Sequence, residues 1–271
     1  DLKSPKRIHI VEQKTTLYQN IWHTFLQSLQ DENAEAPNTK SHRDRAVLIV
    51  PCDAPLMTPQ EVEYFISHAD MEKYDLVSGL VSREKLQHFY PQKKTLGIKM
   101  AYIHFKEASF RINNLHMVKP LCIENREYIQ KMYQYRYQRN FKNLVFFGLS
   151  LFGKGKARYY KNYVGLQLCL FFANLRLDFL VDYFRKLNPK KELEKIISTI
   201  MKTRFMALQV PYPGAALDID NAKDYDAMKI RFDEWWKYLQ EDKESLPIAT
   251  NYIEVSPTAR TEKVARPSPT H

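Results

Sequence analysis

The sequence is poor in glycine, with 7 residues in 271. None of them falls in a GxxxxGK[ST] or GxGxxG pattern. That excludes the Gly-rich phosphate loops, where the backbone approaches its ligand closely because no Cβ is in the way. Cysteine is scarcer still. Cys52, Cys122 and Cys169 lie far apart with no CxxC pair, which argues against a zinc site or a disulfide framework. A reduced, cytoplasmic protein is expected. The eight histidines show no HExxH or paired-ligand spacing, and His104 and His116 read as ordinary strand residues. No secretory signal peptide is visible, and no apolar run reaches the roughly 18 to 20 uncharged residues that a membrane span needs.

What is present is enough apolar material for a core, 44% of residues, together with a net charge of +10. That charge suits anionic partners: a nucleotide, a nucleic acid or an acidic membrane surface. It suits a merely soluble basic surface equally well. No recognised nucleic-acid module appears, so no specific nucleic-acid partner is expected.

Apolar periodicity predicts a short strand at Ile8–Val11 and a helix over Thr16–Leu29, with Leu17, Ile21, Phe25 and Leu29 on one stripe. Gln30–Arg45 reads as a loop. Ala46–Val50 is an uninterrupted apolar run, the pattern of a strand buried on both faces of a parallel sheet. Thr58 suits an N-cap, followed by Pro59 at the first helical position and Glu61 three residues after the cap. Strands are predicted at Leu76–Val81, Lys99–Phe105, Leu115–Val118 and Phe205–Val210, and a helix from Asp224 to about Leu239. Between Asn125 and Thr203 strands give way to aromatic-rich helical segments. The expected organisation is an α/β core over residues 1–124 and 205–240, a helical insertion over 125–204, and an extended or disordered tail over 241–271.

Asp53 follows the Ala46–Val50 run between Pro51 and Pro55. Ligands of open α/β sheets bind at the carboxyl ends of strands, so Asp53 is placed to bind Mg²⁺, although Asp is also a common turn residue. A second cluster, "ALDIDNAKDYDAM", puts Asp218 and Asp220 on one face of an extended segment, with Asp224 at the start of the next helix. Two strand-end carboxylate sites in a basic chain suggest metal-assisted transfer of a nucleotidyl or sugar-nucleotide group.

"VLIVPCDAPLMTPQEVEYFI" resembles the central signature of the nucleotidyltransferases related to molybdenum cofactor guanylyltransferase, the MobA-like NTP transferases. "LDIDNAKDYDAMK" resembles that family's closing segment, and "YIHFKEASFRINNLHMVKP" is similar to the strand–loop–strand of one bacterial branch. The resemblance covers about Arg7 to Trp236 and implies a Rossmann-like nucleotidyltransferase fold with a mostly parallel sheet. It further implies a Mg²⁺-dependent enzyme that joins an NTP to a phosphorylated or related small-molecule acceptor and releases pyrophosphate. Asp53 and Asp220 would be the catalytic metal ligands, with Asp218 beside them. Asn114, with Asn113 before it, would contact the acceptor, and Lys142 would be a surface charge first and a phosphate contact second. The sequence departs from the family in two places. The opening strand and its GGxGTR-type loop do not precede Arg7, and Arg111 and Ile112 stand where the family has Thr and Gly.

Two other readings stay open. A degenerate member would serve as a non-catalytic nucleotide-binding or membrane-surface module, and a GT-A-like glycosyltransferase would use "DID" as its metal motif. The stretch from Asn143 to Leu180 bears Lys154, Lys156, Arg158 and Lys161 around a turn. It reads as core helices or as a peripheral contact with anionic lipid headgroups.

Overall fold

In the computed structural model, the described residues are 8–29, 41–92, 94–126, 128–129 and 159–241. The tail beyond residue 241, Lys142 and the basic turn of 154–158 lie outside them. The chain order is α1 (Leu17–Ser28), β1 (Val47–Ile49), α2 (Pro59–His68), β2 (Leu76–Ser82), a single turn α3 (Arg83–Leu86), β3 (Ile103–His104) and β4 (Ser109–Val118). It continues with α4 (Tyr160–Asn174), α5 (Asp178–Phe184), α6 (Lys190–Met201), β5 (Phe205–Gln209) and α7 (Ala222–Glu241).

The helix starts follow the local chemistry of the sequence. Thr16 and Gln19 form a reciprocal capping box at α1. At α2 the Thr58 hydroxyl accepts the Glu61 N–H, with Pro59 at the first helical position. α6 ends at Lys202, which takes a left-handed conformation at φ 47°.

One mixed sheet runs β1-β4-β2-β5, with β3 on the outer margin of β4. β4 is antiparallel to β1, β2 and β3, and only β2 and β5 pair in parallel. The expected mostly parallel sheet is corrected here. β1, β2 and β5 point the same way, but a long reversed strand separates β1 from β2. β1 is also not a strand buried on both faces. Its three residues are half-buried, and among the described residues it pairs on one side only.

Other expectations shift for related reasons. Ile8–Val11 forms no strand, and Ile10 is 97% exposed because no ladder lies beside it. Lys99–Phe105 keeps ladder pairing only at Ile103–His104, although Ile98 and Met100 are buried. Arg111–Asn114, expected as a loop, lies inside β4.

That interior segment is a bulge. Ser78 faces His116 and Leu80 faces Ile112, so two residues of β2 span four of β4. Asn114 absorbs the extra length at φ 61°, a conformation Asn tolerates better than most residues. Gly79 sits opposite. A Cβ there would lie 1.9 Å from the Asn113 Oδ1.

Strand alternation divides the core in two. Val77, Val81 and Leu115 pack under α2 and α7, with Phe65, Phe89 and Trp235. Leu80, Phe110, Val118 and Ala207 pack on the other face beneath α6, with Ile196 and Ile200. The sheet is therefore covered by helix on both faces. Replacing Gly79 by Ala forces the buried Asn113 amide out of place. We expect a loss of about 1–3 kcal/mol in urea denaturation, the usual cost of overpacking.

Candidate functional site

Because β1, β2 and β5 share a direction, their carboxyl ends lie at one margin of the sheet. The first half of reversed β4 reaches the same margin. The Asp53 loop leaves β1 there, and the 210–220 segment leaves β5 there. The two loops are joined directly, since the Ile219 N–H donates to the Asp53 carbonyl at 3.0 Å. Asp53 and Asp220, both exposed, therefore belong to adjoining stretches of backbone. The expected strand leading into them is absent. β5 ends at Gln209, and the chain makes a 3₁₀ turn at Gly214–Ala216 before reaching the acidic residues.

Asp218 has a different setting. It is buried, and its Oδ1 accepts from Arg111 Nη2 at 2.6 Å. Arg111 also donates through Nε to the Ala216 carbonyl at 2.9 Å. This residue, read from the sequence as a departure from the family pattern, thus clamps the turn and its aspartate onto β4. Asp218 and Asp220 do not share a face, since one points inward and the other to solvent. Among the described residues no group of three or more His, Cys, Asp or Glu is arranged to hold a metal ion. Asp53 and Asp220 remain as carboxylates on adjoining loops, and Mg²⁺ commonly uses one or two carboxylates alongside substrate phosphates.

The two asparagines are engaged within the fold. Asn114 donates through Nδ2 to the Ala215 carbonyl at 3.2 Å. Asn113 is wholly buried, and its Oδ1 accepts the Leu115 N–H at 3.2 Å. Beside it lies a residue that reading for function passed over. Glu61 is 0% exposed, and its Oε2 accepts the Ala215 N–H at 2.9 Å. Burial pushes its carboxyl up to about 8, against the opposing pull of the Ala215 N–H and the Asn113 amide. Gly214 makes the close approach possible. A Cβ there would lie 2.2 Å from the Leu56 carbonyl and 2.8 Å from the Glu61 Oε2.

Positive charge also gathers at this margin. The Arg83 guanidinium stands 5.7 Å from the centre of the Tyr102 ring. Burial raises the Tyr102 phenol, while Arg83 and Arg111 both act to lower it. The histidines are structural. His104 Nδ1 lies 2.9 Å from the Ser109 hydroxyl, and burial lowers its pKa. His116 Nδ1 lies 2.9 Å from the Ser78 hydroxyl, and burial pushes it down to about 4. At the opposite margin Asp75 is gripped by Arg204 at 2.5 Å and held below the usual carboxylate range by it. No described helix is long and apolar enough to cross a membrane. Lys161, the described member of the basic group on that stretch, pairs with Glu192 at 3.6 Å.

No protein-family model matches the sequence, and no curated protein matches it. Among solved structures, a hypothetical transferase from Thermus thermophilus is similar at 20% identity, over 72% of this chain and 70% of that one, with a TM-score of 0.39.

Removing the guanidinium leaves the Asp218 carboxylate buried without its cation. We expect Arg111→Met to cost about 3–5 kcal/mol in urea denaturation and Arg111→Met/Asp218→Leu to recover much of that loss. A double change as damaging as the single one would show that the uncompensated Asp218 charge is not the source of the loss.

Proposed function

We propose that this chain is a transferase domain of the nucleotidyl-transfer type, acting on an NTP and a phosphorylated or related small-molecule acceptor. The observation that carries the reading is the 3.0 Å hydrogen bond from the Ile219 N–H to the Asp53 carbonyl. It ties the two carboxylate-bearing loops together at the carboxyl margin of three like-directed strands, where α/β sheets bind ligands. In this reading Asp53 and Asp220 hold Mg²⁺. The ion, when bound, neutralises phosphate charge and positions the phosphates for displacement. Asp218 and Arg111 keep the Asp220 segment against the Asp53 loop. Asn114 acts as an anchor of the 214–216 turn through the Ala215 carbonyl, and Asn113 holds the β4 bulge through the Leu115 N–H. Arg83 supplies positive charge beside the site, in keeping with an anionic substrate.

A non-catalytic nucleotide-binding module is favoured by one feature of the sequence, Ile112 standing where the resembled family has a Gly that lets the backbone approach its ligand. The two readings separate in one experiment on the full-length protein. A panel of NTPs with Mg²⁺ and phosphorylated acceptors is followed by pyrophosphate release and, in parallel, by calorimetric binding. The enzyme reading expects pyrophosphate release that stops with EDTA and returns with added Mg²⁺. It also expects Asp53→Ala to lower turnover roughly a hundredfold or more, matching the several kcal/mol of charge stabilisation that a bound metal supplies. Mg²⁺-dependent nucleotide binding without pyrophosphate would identify the binding module. Turnover unchanged in Asp53→Ala would overturn the metal assignment.

A further inference from the structure

Glu61 is the most deeply buried acid among the described residues, and its position is unusual for the residue three after an N-cap. In a capping box such a carboxylate turns back toward the N-cap N–H and stays near solvent. Here the side chain turns inward from α2, and its Oε2 reaches across to the Ala215 N–H at 2.9 Å. The groups around it come from three elements. Leu56 and Thr58 lie on its own stretch of chain, Asn113 comes from β4, and Gly214 and Ala215 come from the turn. The groups that act on it are N–H and amide dipoles: the backbone of Thr58, Gly214 and Ala215, and the Asn113 side chain. The charged side chain that β4 presents to this turn is Arg111, and it is paired with Asp218. The Glu61 Oε1 and the Asn113 Nδ2 are buried without a hydrogen bond of ordinary geometry. Each of the dipoles around the carboxyl is a donor and none carries a full positive charge, so burial is what favours the neutral carboxyl and the surrounding dipoles oppose it.

We propose that Glu61 is the positioning residue of the candidate site: its buried carboxyl fixes the 214–216 turn against α2 and so keeps Asp218–Asp220 beside the Asp53 loop. The functional consequence rests on the nucleotidyl-transfer reading, but the clamp itself does not. The pH dependence follows from linkage. Once the turn lifts and water reaches the carboxyl, its pKa returns toward 4.5, whereas in the closed state it lies near 8. The closed state therefore binds the proton more tightly. The advantage of closure is complete below about pH 4.5, is lost steadily between 4.5 and 8, and is constant above 8.

The test is hydrogen–deuterium exchange of residues 214–220 in the wild-type chain and in Glu61→Gln, measured from pH 5 to 9. The Gln amide keeps the Ala215 acceptor and cannot ionise. Taking the ratio of the two proteins at each pH removes the intrinsic pH dependence of exchange. The wild-type to variant ratio should rise about tenfold per pH unit between 5 and 8 and then flatten. A parallel titration of the Glu61 side-chain carbon by NMR should show a midpoint near 8. A ratio constant with pH, or a midpoint close to the ordinary glutamate value, would overturn the proposal. Neither result touches the assignment of Asp53 and Asp220, which is read by Mg²⁺ dependence. Equally, loss of that assignment would leave the exchange ratios as predicted.

Discussion

A buried turn must pair all of its backbone, and the single 3₁₀ turn Gly214–Ala216 pairs only part of its own. The sheet cannot do this, because β5 has already ended. Side chains do it instead. Glu61 takes the Ala215 N–H, Asn114 gives to the Ala215 carbonyl, and Arg111 gives to the Ala216 carbonyl. Three donors and acceptors from α2 and β4 thus replace a missing strand partner. Every candidate site residue among the described positions is adjacent to one of these clamps or forms part of it. Asp218 completes the Arg111 fork, and the Ile219 N–H reaches the Asp53 loop one residue later.

The reversal of β4 makes this arrangement possible. Were β4 parallel to its neighbours, its first half would lie at the far margin, where Asp75 and Arg204 pair. Running against β1 and β2, it brings Arg111, Asn113 and Asn114 to the margin where their loops emerge. The fold thus gathers polar groups from α2, β4 and the segment after β5.

Features set by neighbours in the chain were legible in the sequence. Thr58 announced its helix through capping chemistry, apolar periodicity announced the helix after Thr16, and the apolar run before Asp53 placed that residue past a strand end. Features set by remote partners were not. Glu61 reads as a capping residue because its true partner is 154 positions away, and Arg111 reads as a departure from the family's Thr because Asp218 is 107 positions away. One signal for Glu61 was present. It stands four residues before Phe65 and eight before Ala69, all three buried, so it falls on the core stripe of α2. The small residues Gly214, Ala215 and Ala216 marked the place where another group could come close. The direction of β4 had no local signal, because alternation is the same whichever way a strand runs. Lys142 and the tail beyond residue 241 lie outside the described residues, so the expectations placed on them stand as made.

The bulge in β4 also constrains how this chain can change in length. It adds two residues, an even number, so side chains before and after it keep their assignment to the two faces of the sheet. Losing both would shorten the strand and leave each core with its own set of residues. Losing one would turn Leu115 and Met117 toward α6 and swing Val118 under α2 and α7, exchanging the two cores at once. Length variation at Ile112–Leu115 is therefore tolerated in pairs, a parity rule that would show in any lineage of this fold.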